Sequence, residues 1–260
     1  MARFVVALSL TLLITSFVGA QPPNPTPVKN ATALAEIEAA ITAMGGDAAV
    51  LQISDSVITG TITPTTGSWL KPATFVWKTS GAEFRYEIQR DSGNQIFVSG
   101  YGKPAVSRNG KVTPLFYHMA QAARPFALPA IVLLASLTDP EESLVDAGQM
   151  LVSGKAASAV RISSTEPDPV AAITLQTWYF DAATSLPLRV EYRLPGATDV
   201  THWANAALDF ADFRKAGLVT VPFDVTYSEE GVALETFSVA TVDFNVGVSP
   251  SEFDLSGGGK

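Results

Sequence analysis

The sequence predicts an α+β fold, an antiparallel meander with helical segments lying inside its curve. Three observations carry that prediction. Most of the chain alternates apolar and polar residues between Gly, Asn and Asp turn signals, the pattern of strands wetted on one face. Near the N-terminus the spacing is helical instead, with Leu34, Ile37, Ile41 and Met44 on one face. Mid-chain, Phe126, Leu128, Ile131, Val132, Leu133, Leu134 and Leu137 form a segment apolar all round, as in a helix buried on every side.

Taken in order, residues 1–20 read as a secretory signal peptide. Arg3 precedes the apolar run Phe4–Phe17, and Val18-Gly19-Ala20 offers small residues for cleavage. The run is shorter than the ~20 residues a membrane-spanning helix needs. The mature protein is expected to begin at Gln21 and to be periplasmic or secreted. Residues 21–31 read as a Pro-rich linker, 32–255 as a single domain and 256–260 as a flexible tail. Asn30-Ala31-Thr32 also has the form of a glycosylation sequon. The first helix should end at Gly45-Gly46.

The strands follow. Phe84, Tyr86 and Ile88 alternate with Arg85, Glu87 and Gln89; Leu188, Val190, Tyr192 and Leu194 alternate with Arg189, Glu191 and Arg193. Val219, Val221, Phe223, Val225 and Tyr227 form a third series, in which Pro222 requires an edge or a bulge. Asn109-Gly110 predicts a type I′ hairpin turn, which needs positive φ at both central positions. Between the two sets of hairpins, Pro114–Ala123 and Pro125–Leu137 read as helical, with Pro129 kinking or restarting the second. Asp139-Pro140-Glu141-Glu142 supplies a cap, Pro at N1 and Glu at N3, predicting another short helix.

Composition narrows the function. The 260 residues include no cysteine, which excludes disulfides, a thiol nucleophile, thiolate metal ligands and an acylated N-terminal Cys. A formal net charge of −8, dispersed along the chain, argues against nucleic acid or anionic membrane surfaces as partners. With 47% hydrophobic and 16% charged residues, the chain has either a large core or apolar surface to offer. Catalytic motifs are missing. His118 and His202 are the two histidines, and both read as structural. No Gly-x-Ser-x-Gly elbow, His-x-x-x-His pair or Gly-rich phosphate loop occurs. Glu141-Glu142 and Glu229-Glu230 fall at a helix start and a turn. No catalytic residue, metal ligand or cofactor is assigned, and the chain is expected not to be an enzyme.

Aromatics are plentiful in the first half-sheet, and each can be read simply as core packing. Together with the apolar mid-chain helix they could instead line a cavity for an apolar ligand. The candidates for that lining are Trp77, Phe84, Tyr86, Phe97, Phe126, Leu133 and Leu134.

Several stretches are similar to the LolA/LolB-like outer-membrane lipoprotein-sorting proteins, the lipoprotein-carrier superfamily. They are Ala43-Met44-Gly45-Gly46, Trp178-Tyr179-Phe180-Asp181, Thr184 to Tyr192, Asp209 to Arg214, Val221-Pro222-Phe223, and the tail from Asn245 to Leu255. The resemblance spans nearly all of the mature chain. It implies an unclosed antiparallel half-barrel with helices covering the concave face. It also implies binding of a lipid or of lipoprotein acyl chains, and an arginine on a strand that bonds the lid, for which Arg85, Arg90 and Arg161 are candidates. The function expected is therefore an exported protein holding an apolar ligand in the half-barrel, in envelope lipid or lipoprotein trafficking. The alternative is a periplasmic sensor or regulatory module of the same fold, acting on an envelope protein partner.

Overall fold

The computed structural model of the chain describes residues 26–65, 71–99, 103–115, 128–165, 174–195 and 203–256. The expected signal peptide, most of the linker and of the tail, Phe126, His118, His202 and residues 116–123 of the helix predicted over Pro114–Ala123 lie outside those residues; Pro114 itself ends a strand rather than starting a helix.

Helix α1 (Ala31–Ala43) starts where Asn30 caps it: the Asn30 Oδ1 accepts from the Thr32 and Ala33 amides at 2.9 and 3.2 Å. Ala33, Ile37, Ala40, Ile41 and Met44 are buried, the face that the helical spacing predicts. Gly45 and Gly46 end the helix at φ +124° and +87°. A Cβ at Gly45 would stand 2.6 Å from the Leu218 carbonyl oxygen, so the close approach of α1 to the strands admits glycine alone. A single turn, α2 (Asp47–Val50), follows.

The N-terminal strands are β1 (Asp55–Pro64), β2 (Ala73–Ser80), β3 (Glu83–Arg90), β4 (Gly93–Ser99), β5 (Ala105–Arg108) and β6 (Lys111–Pro114). Helix α3 (Pro129–Thr138) comes next, then β7 (Glu142–Val152), β8 (Lys155–Ser164) and β9 (Gln176–Asp181). The last four are β10 (Pro187–Pro195), β11 (Trp203–Ala216), β12 (Val219–Glu229) and β13 (Val232–Phe244). All thirteen form one sheet in the order β6-β5-β4-β3-β2-β1-β13-β12-β11-β10-β9-β8-β7. Each half is a meander, and the antiparallel pairing of β1 with β13 joins them. Among the described residues β6 and β7 are the two edges, and the curved sheet is an unclosed half-barrel.

Local sequence explains several details. Asn109 and Gly110 take φ +50° and +84°, as a type I′ turn requires. Pro222 lies on β12 in the stretch paired only with β11; pairing with β13 begins at Asp224. Its missing N–H therefore faces what is locally an edge. Pro129 is the first residue of α3, where its missing N–H costs nothing; residues 125–127 of the predicted helix lie outside the described residues. The helix expected at Asp139-Pro140-Glu141-Glu142 does not form. Asp139 Oδ1 accepts from the Glu141 amide at 2.8 Å, but the chain turns once and enters β7 at Glu142. Ser143-Leu144-Val145 finds a complete ladder on β8 from Glu142↔Ser164 onward, and that tertiary pairing outweighs a local cap.

Both long helices cover the inner face at the β7–β8 end. There α1 donates Ile37 and Ile41, and α3 donates Leu133, to one apolar cluster that includes Leu144, Ile162, Trp178, Phe180 and Phe210. Ser158 of β8 donates to Glu36 of α1 at 2.7 Å. On the outer face, a 3₁₀ turn (Pro250–Phe253) docks against β2 and β3, with the Lys78 ammonium 3.0 Å from Glu252 and Arg85 donating to the Glu252 carbonyl at 2.9 Å.

Candidate functional site

Cross-strand register assembles an aromatic row on the inner face of the N-terminal half. Ile58 of β1 stands opposite Trp77 of β2, Trp77 opposite Tyr86 of β3, Tyr86 opposite Phe97 of β4, and Phe97 opposite Val106 of β5. Directly opposed residues share a face, so the row runs across five strands. The Trp77 and Tyr86 rings lie 5.0 Å apart, and Tyr86 stacks on Phe97 at 6.3 Å. One pleat along, Phe75 is 6.4 Å from Tyr86 and meets Phe237 of β13 edge-on at 5.8 Å. Gly60 makes room for that ring: a Cβ there would sit 2.6 Å from Phe75 and 2.3 Å from the Ser238 carbonyl.

Trp77, Tyr86 and Phe97 are only half-buried, and they pack against the apolar cluster from its margin. The buried Trp77 Nε1 has no hydrogen-bond partner among the described residues. These three candidates are thus brought together. Phe84 is buried two residues before Tyr86 on the same face of β3, yet lies outside the main apolar cluster. Leu133 is fully buried and Leu134 half-buried on α3, which packs on α1, α2 and β7. They join the same cluster from the helix side.

A polar rim borders the aromatic row. Arg90 follows Tyr86 and Ile88 on β3, and its guanidinium reaches Glu235 of β13 at 2.7 Å while donating to the Lys71 carbonyl. The Glu235 side chain is 10% exposed, so the pair bridges strands three places apart across the inner face. Burial first, and the nearby Glu235 carboxylate second, push the Tyr86 phenol far above the usual tyrosine range. Tyr227, which donates to Glu229, and Tyr192 are raised likewise, by burial above all. All three phenols therefore stay protonated at physiological pH, and Tyr227 spends its proton on Glu229.

Of the three candidate arginines, Arg85 is engaged with Glu87 and Glu252 on the outer face, and Arg161 is exposed on β8. Arg90 is the one that crosses the inner face. Sequence reasoning missed Phe237 and Glu235, whose alternation with Thr236 and Ser238 was visible but whose partner strand was not. Among the described residues no group of three or more His, Asp and Glu is placed to hold a metal ion, and no helix is long and apolar enough to cross a membrane.

No protein-family model and no curated protein sequence matches the chain. Solved structures do. A DUF1329 family protein from Desulfovibrio piger is 15% identical, with a TM-score of 0.58 over 90% of this chain and 99% of its own. A domain from Vibrio parahaemolyticus, named for outer membrane lipoprotein sorting, is 15% identical with a TM-score of 0.57 over 87% and 99%. A LolA superfamily protein from Nitrosomonas europaea is 8% identical, with a TM-score of 0.57 over 85% and 97%. The chain has a LolA-like fold. At such identities the likeness is one of fold.

Proposed function

We propose that this is an exported, envelope-located binding protein that holds an apolar ligand, a lipid or lipoprotein acyl chain, against the inner face of its half-barrel. The observation that carries the reading is the half-buried row Trp77, Tyr86 and Phe97, aromatic surface that the described helices leave partly open while they fully bury Trp178 and Phe180. Each methylene laid on such a surface gains up to about 0.8 kcal/mol, so an acyl chain is held without a dedicated polar site. The fold shared with a domain named for lipoprotein sorting supports the same reading. Binding, with no chemistry performed on the ligand, is the activity proposed.

A sensor or interaction role is the second reading, and the edge of β7 favours it. Residues 28–30 cover that edge only around Leu144, while Met150 and Leu151 are 39% and 74% exposed. Native mass spectrometry of the protein purified from its own envelope separates the two. Bound lipid is the expected result; a stoichiometric protein partner on lipid-free protein would favour the second reading.

A further inference from the structure

We propose that a cleft at the rim of the aromatic row binds the oxyanion head of a single-chain amphiphile, a carboxylate or phosphate whose chain lies along Ile88, Tyr86 and Phe97. The cleft, about 190 Å³, is lined by Ile88, Arg90, Gln95 and Arg108 and by the turn residues Ser92, Gly93, Asn94 and Asn109. This inference rests on the apolar-binding reading above and names the class of ligand it takes.

Register fixes the continuity between cleft and row. Ile88 stands opposite Gln95, and Gln95 opposite Arg108, on the inner face. That file runs parallel to Tyr86, Phe97 and Val106, one pleat repeat of about 7 Å away. Ile88 belongs to the main apolar cluster, so the cleft has an apolar wall on the side where the row begins. Its other walls are polar.

Charge decides what that polar end accepts. Arg90 is already matched by Glu235 at 2.7 Å. Arg108 is exposed and, among the described residues, has no carboxylate partner. Lys111 faces it across the Asn109-Gly110 turn. In a chain of net charge −8, this is a local excess of positive charge, held where two hairpin turns meet. Guanidinium groups suit carboxylates and phosphates because their planar fork of donors matches two oxygens at once.

The turns themselves are fixed. The Asn109 amide donates to the Asn94 carbonyl at 2.9 Å, and the Asn94 amide donates to Asn109 Oδ1 at 2.9 Å. Gly93, at φ +133°, lies where a Cβ would fall 1.9 Å from that same Oδ1. The cleft wall is therefore preorganised. Asn94 Oδ1 is buried without a hydrogen-bond partner among the described residues, and a half-turn of that amide offers its Nδ2 donors instead.

Calorimetric titration of the delipidated protein with dodecanoate, dodecyl phosphate, dodecanol and inorganic phosphate tests the proposal. Both amphiphilic anions are expected to bind roughly tenfold more tightly than dodecanol, the margin of a charge-assisted hydrogen bond. Arg108→Gln, an exposed position outside the core, should erase that margin while leaving dodecanol binding unchanged, and Arg108→Lys should restore part of it. Dodecanol binding with no preference for the anions, or a preference that survives Arg108→Gln, overturns the head-group site alone. Inorganic phosphate binding as tightly as dodecyl phosphate also overturns it, since the cleft would then serve a free anion. Failure of all three chain-bearing ligands overturns the apolar-binding reading and this inference with it.

Discussion

The two halves of the inner face use the same kind of side chain in opposite ways. On β9, Trp178 and Phe180 are 0% exposed beneath α1 and α3, Trp178 stacked on Phe210 at 5.8 Å and on Phe180 at 6.5 Å. Trp178 has even its indole N–H satisfied, by Gln176 at 2.8 Å. On β2–β4, Trp77, Tyr86 and Phe97 also form a row, Trp77 tilted against Tyr86 and Tyr86 stacked on Phe97, yet they stay half-buried and the Trp77 N–H has no partner among the described residues. Packing density and polar satisfaction mark the first group as core. The second carries apolar surface and an unused donor, which is what a binding face has to offer.

That contrast predicts a graded set of outcomes. The largest effect belongs to Leu133→Asp. An unpaired carboxylate in the helix-covered core costs several kcal/mol, comparable with a domain's entire stability of about 5–15 kcal/mol, so the variant should show no cooperative melt by circular dichroism. Leu134→Asp, at the half-buried neighbour, should stay folded. Next, Trp178→Ala should lose about 3–5 kcal/mol in urea unfolding, while Trp77→Ala loses at most about 2 kcal/mol and weakens binding of an apolar fluorescent probe at least tenfold. Equal stability losses at the two tryptophans would erase the distinction between the halves.

Smaller effects test the polar groups. Glu235→Gln leaves the Arg90 guanidinium without its carboxylate and should cost about 1–3 kcal/mol, read from the shift in urea midpoint. The smallest concerns Tyr179 on the outer face, whose hydroxyl donates to Glu191 at 2.7 Å. Burial, then that hydrogen bond, push its pKa up to about 12, against about 10 in the unfolded chain. The folded state keeps the proton longer. Its contribution is therefore complete below about pH 10 and is lost as pH rises through about 12. Tyr179→Phe should flatten this part of the alkaline decline in the urea midpoint; Tyr86, Tyr192 and Tyr227, shifted in the same direction, preserve the rest.

Local signals were legible wherever the sequence sets local structure by itself. The face of α1, the alternation on β3, β10 and β12, the Asn109-Gly110 turn and a helix beginning at Pro129 all appear as expected. Non-local pairing was not legible. Alternation says that a strand has two faces, not which strand lies beside it, so the β1–β13 seam and the Arg90–Glu235 bridge across it had no sequence signature. β8, with its Ala157, Ser158 and Ala159, offers little apolar contrast at all. The false helix at Asp139 shows the converse error, a correct cap motif overruled by a ladder that forms only in the fold. At the candidate site, Trp77, Tyr86 and Phe97 could be named from composition, but their shared row depends on register across three strands.

One measurement bears most directly on the claim that this row is the binding face: quenching of intrinsic fluorescence by a dibrominated acyl chain in the wild type and in Trp77→Phe. Bromine quenches only rings it approaches, and phenylalanine preserves the apolar surface. The account predicts strong quenching in the wild type that largely disappears in Trp77→Phe, with the chain still bound by calorimetry. Undiminished quenching in the variant would place the ligand against another tryptophan and contradict the account.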